Sequence, residues 1–338
     1  MNTQKQILEP YLKAKFSDKT ALSITQLDKL RDGWESDNYV LAVESGEART
    51  RTTWVWRIYS GEGSQQKASR EFTALKKLFA AGYPVPQVVL LETEHSPVDR
   101  PFIIMEYIPG EMMWHLLDAA SSDQQEQLID QFCQLFVQLH GLDWEQFDAS
   151  LPVDQPYFFI DCWLDEAHRE LQNFPEIEAA PFLAWVAARR RLFACGRPSP
   201  THRDFHPGNI LVSADGRAVV IDWTNFAITD FRFDLAWTLV LAYAHGRPGL
   251  RSQILQGYQR HTEKPIQQIE AFEALACAQR LVHLTVSLTM GSQHMGMNAQ
   301  AADAMRANME PHKRVYQLFI EHTGLQIKAF DSLFGKGK

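Results

Sequence analysis

The sequence predicts an α+β protein of two lobes: an antiparallel sheet with one helix, followed by a mostly helical half. Two observations carry this. Runs rich in β-branched and aromatic residues crowd the chain up to residue 108, and beyond Ile108-Pro109-Gly110 the apolar periodicity becomes helical. A length of 338 residues is enough for two cores. Hydrophobic residues at 45% and charged residues at 22% fit ordinary globular usage and exclude disorder, collagen and coiled coil. The expected division is 1–108 and 109–338, with Pro109-Gly110 as the hinge.

Residues 1–32 read as a helical approach, with Ile7, Leu8, Tyr11 and Leu12 spaced for one face. Asn38–Val43 and Trp54–Tyr59 read as strands, with Ser45-Gly46 as the turn between them. A helix is expected over Ala68–Ala81, with Phe72, Leu75, Leu78 and Phe79 at helical spacing and Gly82 as its cap. Gln87–Leu91 and Pro101–Tyr107 read as two more strands. Past the hinge, Ser121–His140 is helical, carrying Leu128, Phe132, Leu135, Phe136 and Leu139 on one face with Ser121 or Ser122 as the cap. The apolar stretch Ala271–Met290 contains Glu273 and Arg280, so it reads as a buried helix and not as a membrane span. Met290–Met305 mixes Met, Gly and His, as a loop or a substrate lid would.

The N-terminus has no apolar run of the kind a secretion signal carries, and Cys133, Cys162, Cys195 and Cys277 form no CxxC pair. The expectation is four free, mostly buried thiols in a cytoplasmic protein. A net charge of −8 argues against a nucleic-acid partner. That charge is uneven: residues 109–178 hold 15 acidic residues and one basic one, Arg169.

The chemistry sits in THRDFHPGNILVSADGRAVVIDWTNFAITDFRFD, from Thr201 to Asp234. Asp204 is followed by Asn209, a short hairpin with Ala214-Asp215-Gly216 at its turn, and then Asp222. Phosphoryl transfer needs in-line positioning, a divalent cation against the phosphate charge, and a carboxylate that orients the acceptor hydroxyl. Asp204 suits the last role. Asn209 and Asp222 offer hard oxygen ligands to Mg²⁺, and pairing the hairpin strands carries them to the same end. His202 reads as a packing and hydrogen-bonding residue.

The order HRDFHPGNILV, VVIDW, FRFDLA resembles the aminoglycoside phosphotransferase/choline kinase group, small-molecule enzymes of the protein-kinase-like fold. The resemblance implies a two-lobed kinase-like architecture, an ATP-dependent reaction (GTP being the alternative nucleotide), Mg²⁺ and a small hydroxylated acceptor. It also implies that Arg57 grips phosphates while Glu71 orients its guanidinium, whose fork suits phosphate oxygens. The Gly33-Trp34-Glu35-Ser36-Asp37-Asn38 turn takes the place of the phosphate-covering loop, with Ser36 as a candidate contact. Met105, Glu106 and Ile108 fall where that family holds the adenine, and Asp234 matches its structural Asp.

Two departures bear on the acceptor. Arg203 stands where the family has Gly, which makes the run resemble a protein kinase. Yet eleven residues separate Asp222 from Asp234 and no Ala-Pro-Glu follows, too little for an activation loop and a peptide platform. A small acceptor is therefore expected ahead of a protein substrate, and an active enzyme ahead of a nucleotide-binding pseudokinase, because Asp204, Asn209 and Asp222 are all present. Asp161, Trp163, Asp165 and Glu166 would suit an ammonium group by ion pairing and cation–π contact. A solvated acidic helix face accounts for the same four residues. No membrane or nucleic-acid partner is expected, and the chain is expected as a monomer or homodimer.

Overall fold

The structure is a computed structural model that describes residues 2–17, 19–30, 36–61, 63–152, 154–246, 249–292 and 300–334. The chain divides into two compact units: Met1–Glu111 with Ile210–Thr224, and Met112–Asn209 with Asn225–Lys338.

The first unit begins with helix α1 (Asn2–Lys15), then strands β1 (Ser23–Lys29), β2 (Ser36–Ser45) and β3 (Thr50–Tyr59). Helix α2 (Ser64–Ala80) and strands β4 (Val88–Glu92) and β5 (Phe102–Glu106) follow. The sheet is antiparallel, in the order β1-β2-β3-β5-β4. Alternation along β3 sends Trp54, Trp56 and Ile58 into one core with Leu8 and Leu12 of α1. Burying each of those leucines contributes about 1.5–3 kcal/mol. Arg57 points to the other face, where α2 lies.

Strand β1 departs from the helical reading of residues 1–32. Its register slips between Ile24 and Gln26, and its buried residues Ile24 and Leu27 stand three apart. The bulge therefore gives this strand an apolar spacing that looks helical in sequence. In α2 the buried stripe is Ala68, Glu71, Ala74, Leu75 and Leu78, whereas Phe79 is 47% exposed. A carboxylate thus occupies a core position that sequence periodicity would give to an apolar residue.

The hairpin Ile210–Val212/Ala218–Val220 packs with this unit, although its sequence position is among the helices. Val220 donates its N–H to Pro84 O, and Trp223 meets Tyr83 edge to face at 5.7 Å. Gly110, read as a hinge, has a second reason to be glycine. A Cβ there would lie 2.8 Å from the carbonyl oxygen of Val212.

The second unit holds α3 (Met113–Ala119), α4 (Ser122–Gly141), α5 (Phe158–Leu171), α6 (Ala180–Ala188), α7 (Phe231–His245) and α8 (Leu250–Arg260). It continues with α9 (Ile269–Thr289), α10 (Gln300–Ala307), α11 (Glu310–Thr323) and α12 (Lys328–Phe334). Helix α4 starts at a capping box in which Ser121 and Gln124 satisfy each other's end of the first turn. Helices α7 and α11 pack on α9, and α8 packs on α4. A short pair, Ser199–Thr201 with Ala227–Thr229, joins two parts of the unit.

Helix α9 is buried along most of its length, as its sequence predicts. Glu273, 0% exposed, is held there by Nε and Nη2 of Arg251, each at 2.6 Å. Among the described residues no helix is long and apolar enough to cross a membrane. All four cysteines are free; Cys133 and Cys277 are buried, Cys195 is half-buried and Cys162 exposed.

The acidic block 109–178 is partly neutralised within its own unit. Asp130 accepts from His261 at 2.8 Å and lies 3.4 Å from Arg260, while Asp161 takes the fork of Arg190. Residues 179–338 supply those cations, so the charge imbalance seen along the sequence is reduced in three dimensions.

Candidate active site

In the first unit, Arg57 stands between two carboxylates. Its Nη2 donates to Asp222 Oδ1 at 2.8 Å, and its Nε lies 3.4 Å from Glu71 Oε2. Arg57 is 7% exposed and Glu71 0%. Glu71 also accepts from Tyr59 Oη at 2.5 Å and from the backbone N–H of Trp223 at 3.3 Å. One carboxylate on α2 therefore anchors a β3 side chain and the residue following Asp222. Burial pushes Glu71 above the ordinary carboxylate range, with Arg57 opposing. Burial would lower Arg57, but Asp222 and Glu71 hold it firmly charged.

Asp222 has φ +66°, a left-handed conformation that Asp tolerates better than most residues. Thr224 Oγ1 donates to its Oδ1 at 2.8 Å. Ser36 is buried at the start of β2, its Oγ 3.4 Å from Asn38 Nδ2. Gly33, Trp34 and Glu35 lie outside the described residues. Met105 is buried in β5. Glu106 donates its N–H to Gln87 O at 2.8 Å, and Ile108, half-buried, follows the end of that strand.

In the second unit, Asp204 sits in a loop fixed from several sides. Its Oδ1 accepts from Trp237 Nε1 at 3.0 Å, and His206 Nε2 stands 3.6 Å from Oδ2. Asn209 Nδ2 donates to the Asp204 carbonyl at 3.0 Å. Thr238 on α7 holds the Phe205 carbonyl at 2.6 Å, and the Phe205 ring stacks on Phe136 of α4 at 4.1 Å. Burial alone would raise Asp204; the neighbouring His206 and the Trp237 hydrogen bond bring it down to about 2. Gly208 donates its N–H to His206 Nδ1, and a Cβ there would stand 2.9 Å from that ring.

Asp234, 0% exposed on α7, accepts from the backbone N–H groups of His202 (2.6 Å) and Arg203 (2.8 Å). His140 Nε2 lies 3.3 Å from the same carboxylate, and His140 Nδ1 lies 2.8 Å from Tyr258 Oη. His202, 0% exposed, has its Nδ1 3.3 Å from Asp204 N. Asp234 gives a physical account of Arg203, which has φ +64°. The two N–H groups aimed at one carboxylate force a left-handed residue there, where glycine is cheapest. Replacing Arg203 by Gly should raise stability by up to about 1 kcal/mol, read as a higher midpoint in thermal or urea unfolding. A fall of the midpoint would mean that the Arg side chain contributes more than its backbone strain costs.

Asn209 and Asp222 are each, by residue type, an oxygen donor suited to a hard cation such as magnesium. Hairpin pairing begins at Ile210 opposite Val220, one residue after Asn209 and two before Asp222. No group of three or more His, Cys, Asp or Glu able to hold a metal occurs among the described residues.

On α5 the four residues of the acidic run have separate surroundings. Both oxygens of Asp161 are taken by Arg190, Trp163 meets Phe182 edge-on at 6.2 Å, and Asp165 and Glu166 are exposed. Conversely, His206 and Trp237 join Asp204 without having been singled out in the sequence. Trp237 follows Asp234 by three residues on one helix, so the two share a face; that spacing is the signal available in sequence. Of the segment Met290–Met305, read as a loop or a lid, residues 293–299 lie outside the described residues, and Gln300–Met305 belong to α10.

An antiparallel sheet whose third strand pairs an Arg with a helix Glu, and a helical unit carrying an Asp-x-x-x-x-Asn loop, define a protein-kinase-like fold. The chain belongs to the phosphotransferase enzyme family, whose sequence model matches residues 26–268. Solved structures agree on the fold. A candidate aminoglycoside phosphotransferase from Ralstonia eutropha superposes with a TM-score of 0.68 at 16% identity, covering 94% of this chain and 98% of that one. Aminoglycoside phosphotransferase APH(4)-Ia gives 0.61 at 16% identity over 95% and 99%. The streptomycin–ATP–APH(2")-IIa ternary complex gives 0.56 at 18% over 82% and 88%. A curated relative, mouse acyl-CoA dehydrogenase family member 10, is 25% identical over 187 residues. That match takes in 53% of this chain and only 17% of the mouse protein's length.

Proposed function

We propose that the protein transfers the γ-phosphoryl group of ATP, or of GTP, to a hydroxyl of a small molecule. The observation that supports this best is the setting of Asp204: its carboxylate accepts from Trp237, its carbonyl accepts from Asn209, and the loop that carries it is clamped by Asp234. The acceptor O–H hydrogen-bonds to Asp204 and its oxygen attacks the γ-phosphorus. The new O–P bond forms as the bond from the γ-phosphorus to the β,γ-bridging oxygen breaks, and the diphosphate leaves with that electron pair. A carboxylate with a pKa of about 2 is a weak base. It therefore orients the hydroxyl first and takes the proton late, once the oxygen has bonded to phosphorus. Asn209 and Asp222 would hold Mg²⁺, which offsets phosphate charge. Arg57, oriented by Glu71, steadies the phosphates, with Ser36 beside them. Met105, Glu106 and Ile108 face the nucleotide base.

The expected result is ADP release that depends on an added hydroxylated acceptor, in a screen of sugars, amino sugars, amino alcohols and hydroxyacyl compounds. Acceptor-independent nucleotide binding with no phosphorylated product from any of them would contradict a transferase role.

A further inference from the structure

Helix α9 is buried from Ala271 to Ser287 except at Gln279, Arg280 and His283, which are partly exposed. Arg280, His283 and Ser287 follow the i, i+3, i+7 spacing of one helix face. Around Arg280 the other elements bring bases more than acids. His245 at the end of α7 accepts from its Nη2 at 2.5 Å, and His312 of α11 lies within its field. Asp204 interacts with Arg280 through space without forming an ion pair. Arg203 acts on His283 from the loop, and from α5 Glu170 Oε1 lies 3.8 Å from His283 Nε2.

Three polar atoms here are buried without a hydrogen-bond partner among the described residues: Arg280 Nε, Ser287 Oγ and His312 Nδ1. A buried guanidinium N–H with nothing to donate to is costly, and an anion is what it is built to bind. We propose, resting on the phosphotransferase reading above, that Arg280 with His283 and Ser287 receives an anionic group of the acceptor, so that the substrate is a hydroxylated carboxylate or phosphate ester. The positive charges acting on this face are those of Arg280 and, from the loop, Arg203. Burial first, and then the positive charge of Arg280, push His245, His283 and His312 down to about 4, so these rings are neutral at pH 7 and act as hydrogen-bonding walls. Burial pushes Glu170 up, with Glu166 adding to it, which weakens the one carboxylate opposing an incoming anion from α5.

The test is acceptor-dependent ADP release with matched probes: hydroxycarboxylates of increasing chain length, their methyl esters, sugar phosphates, and amino alcohols. Turnover is expected for the anionic probes, with a loss of roughly 100-fold on esterification. The carboxylate and phosphate arms then tell which anion is used. Arg280→Gln should raise KM for the preferred acid at least about tenfold, lower kcat less, and abolish the acid-over-ester preference; Arg280→Lys should restore part of it. Nucleotide-induced thermal stabilisation checks that each variant is folded. Equal turnover of acids, esters and amino alcohols, or an unchanged preference in Arg280→Gln, would overturn the anion site and leave the phosphotransferase reading standing. So would wild-type ATP hydrolysis that neither hydroxycarboxylates nor phosphate inhibits, with no probe turned over. If the wild type neither binds nor hydrolyses nucleotide, the phosphotransferase reading itself is what fails.

Discussion

Asp204→Asn should reduce turnover by between about 10² and 10⁴-fold, the range that loss of a positioned acid–base group produces. Asn keeps the shape of the side chain and can still accept from Trp237 Nε1, so the loop should keep its fold. Nucleotide affinity, which is proposed to rest on Arg57 and its neighbours in the first unit, should change little. Steady-state kinetics beside nucleotide titration by fluorescence or calorimetry separates the two. A parallel loss of nucleotide binding would mean that Asp204 acts by organising the nucleotide instead. The pH profile adds a sign. Because Asp204 is held at about 2, it stays ionised throughout the ordinary working range. An acid limb of kcat above about pH 4 should therefore belong to another group, and should persist unchanged in position in the residual activity of Asp204→Asn.

Arg57→Met should destabilise the protein by about 3–5 kcal/mol, the usual consequence of leaving one half of a buried ion pair behind. The abandoned partner is Glu71, 0% exposed, with Asp222 close to the same spot. Glu71 already has its folded pKa raised, so whatever stability its protonation contributes is complete below the unfolded carboxylate value and is lost as pH rises through the folded one. Removing Arg57 raises that folded value further. The penalty should accordingly be larger at pH 8 than at pH 5.5 in urea unfolding, and Glu71→Gln added to Arg57→Met should recover much of it. A penalty below about 1 kcal/mol, or one independent of pH, would mean that water reaches Glu71 and that the pair does not hold the unit together.

Much of this site was legible in the sequence because its parts lie on short, strongly patterned stretches. Asp204, Asn209, the hairpin and Asp222 follow from local spacing, and the position of each strand from β2 to β5 follows from β-branched and aromatic runs. What escaped is what depends on tertiary closure. Strand β1 hid because its bulge put Ile24 and Leu27 three apart. The partners of Asp161 and Asp130 hid because Arg190 lies 29 residues and His261 131 residues away. No local pattern reveals that such carboxylates are already compensated. Arg203 could be seen as unusual but not explained, since its reason is a carboxylate 31 residues later that requires a left-handed turn. The cluster around Arg280 draws on the loop and on four helices, and nothing along the chain points to it.

The clamp by Asp234 has one more consequence, for the timescale of motion. The amide hydrogens of His202 and Arg203 point into a fully buried carboxylate that α4 and α8 brace through His140 and Tyr258. They can meet solvent only when that part of the helical unit opens, an event tied to its cooperative stability and not to the fraying of a surface loop. Although Arg203 and Asp204 lie outside helix and strand, this segment should exchange its hydrogens with the slow class of the helical core. On the proposed function, movement that admits an acceptor or releases a product is expected in parts of the chain other than this clamp.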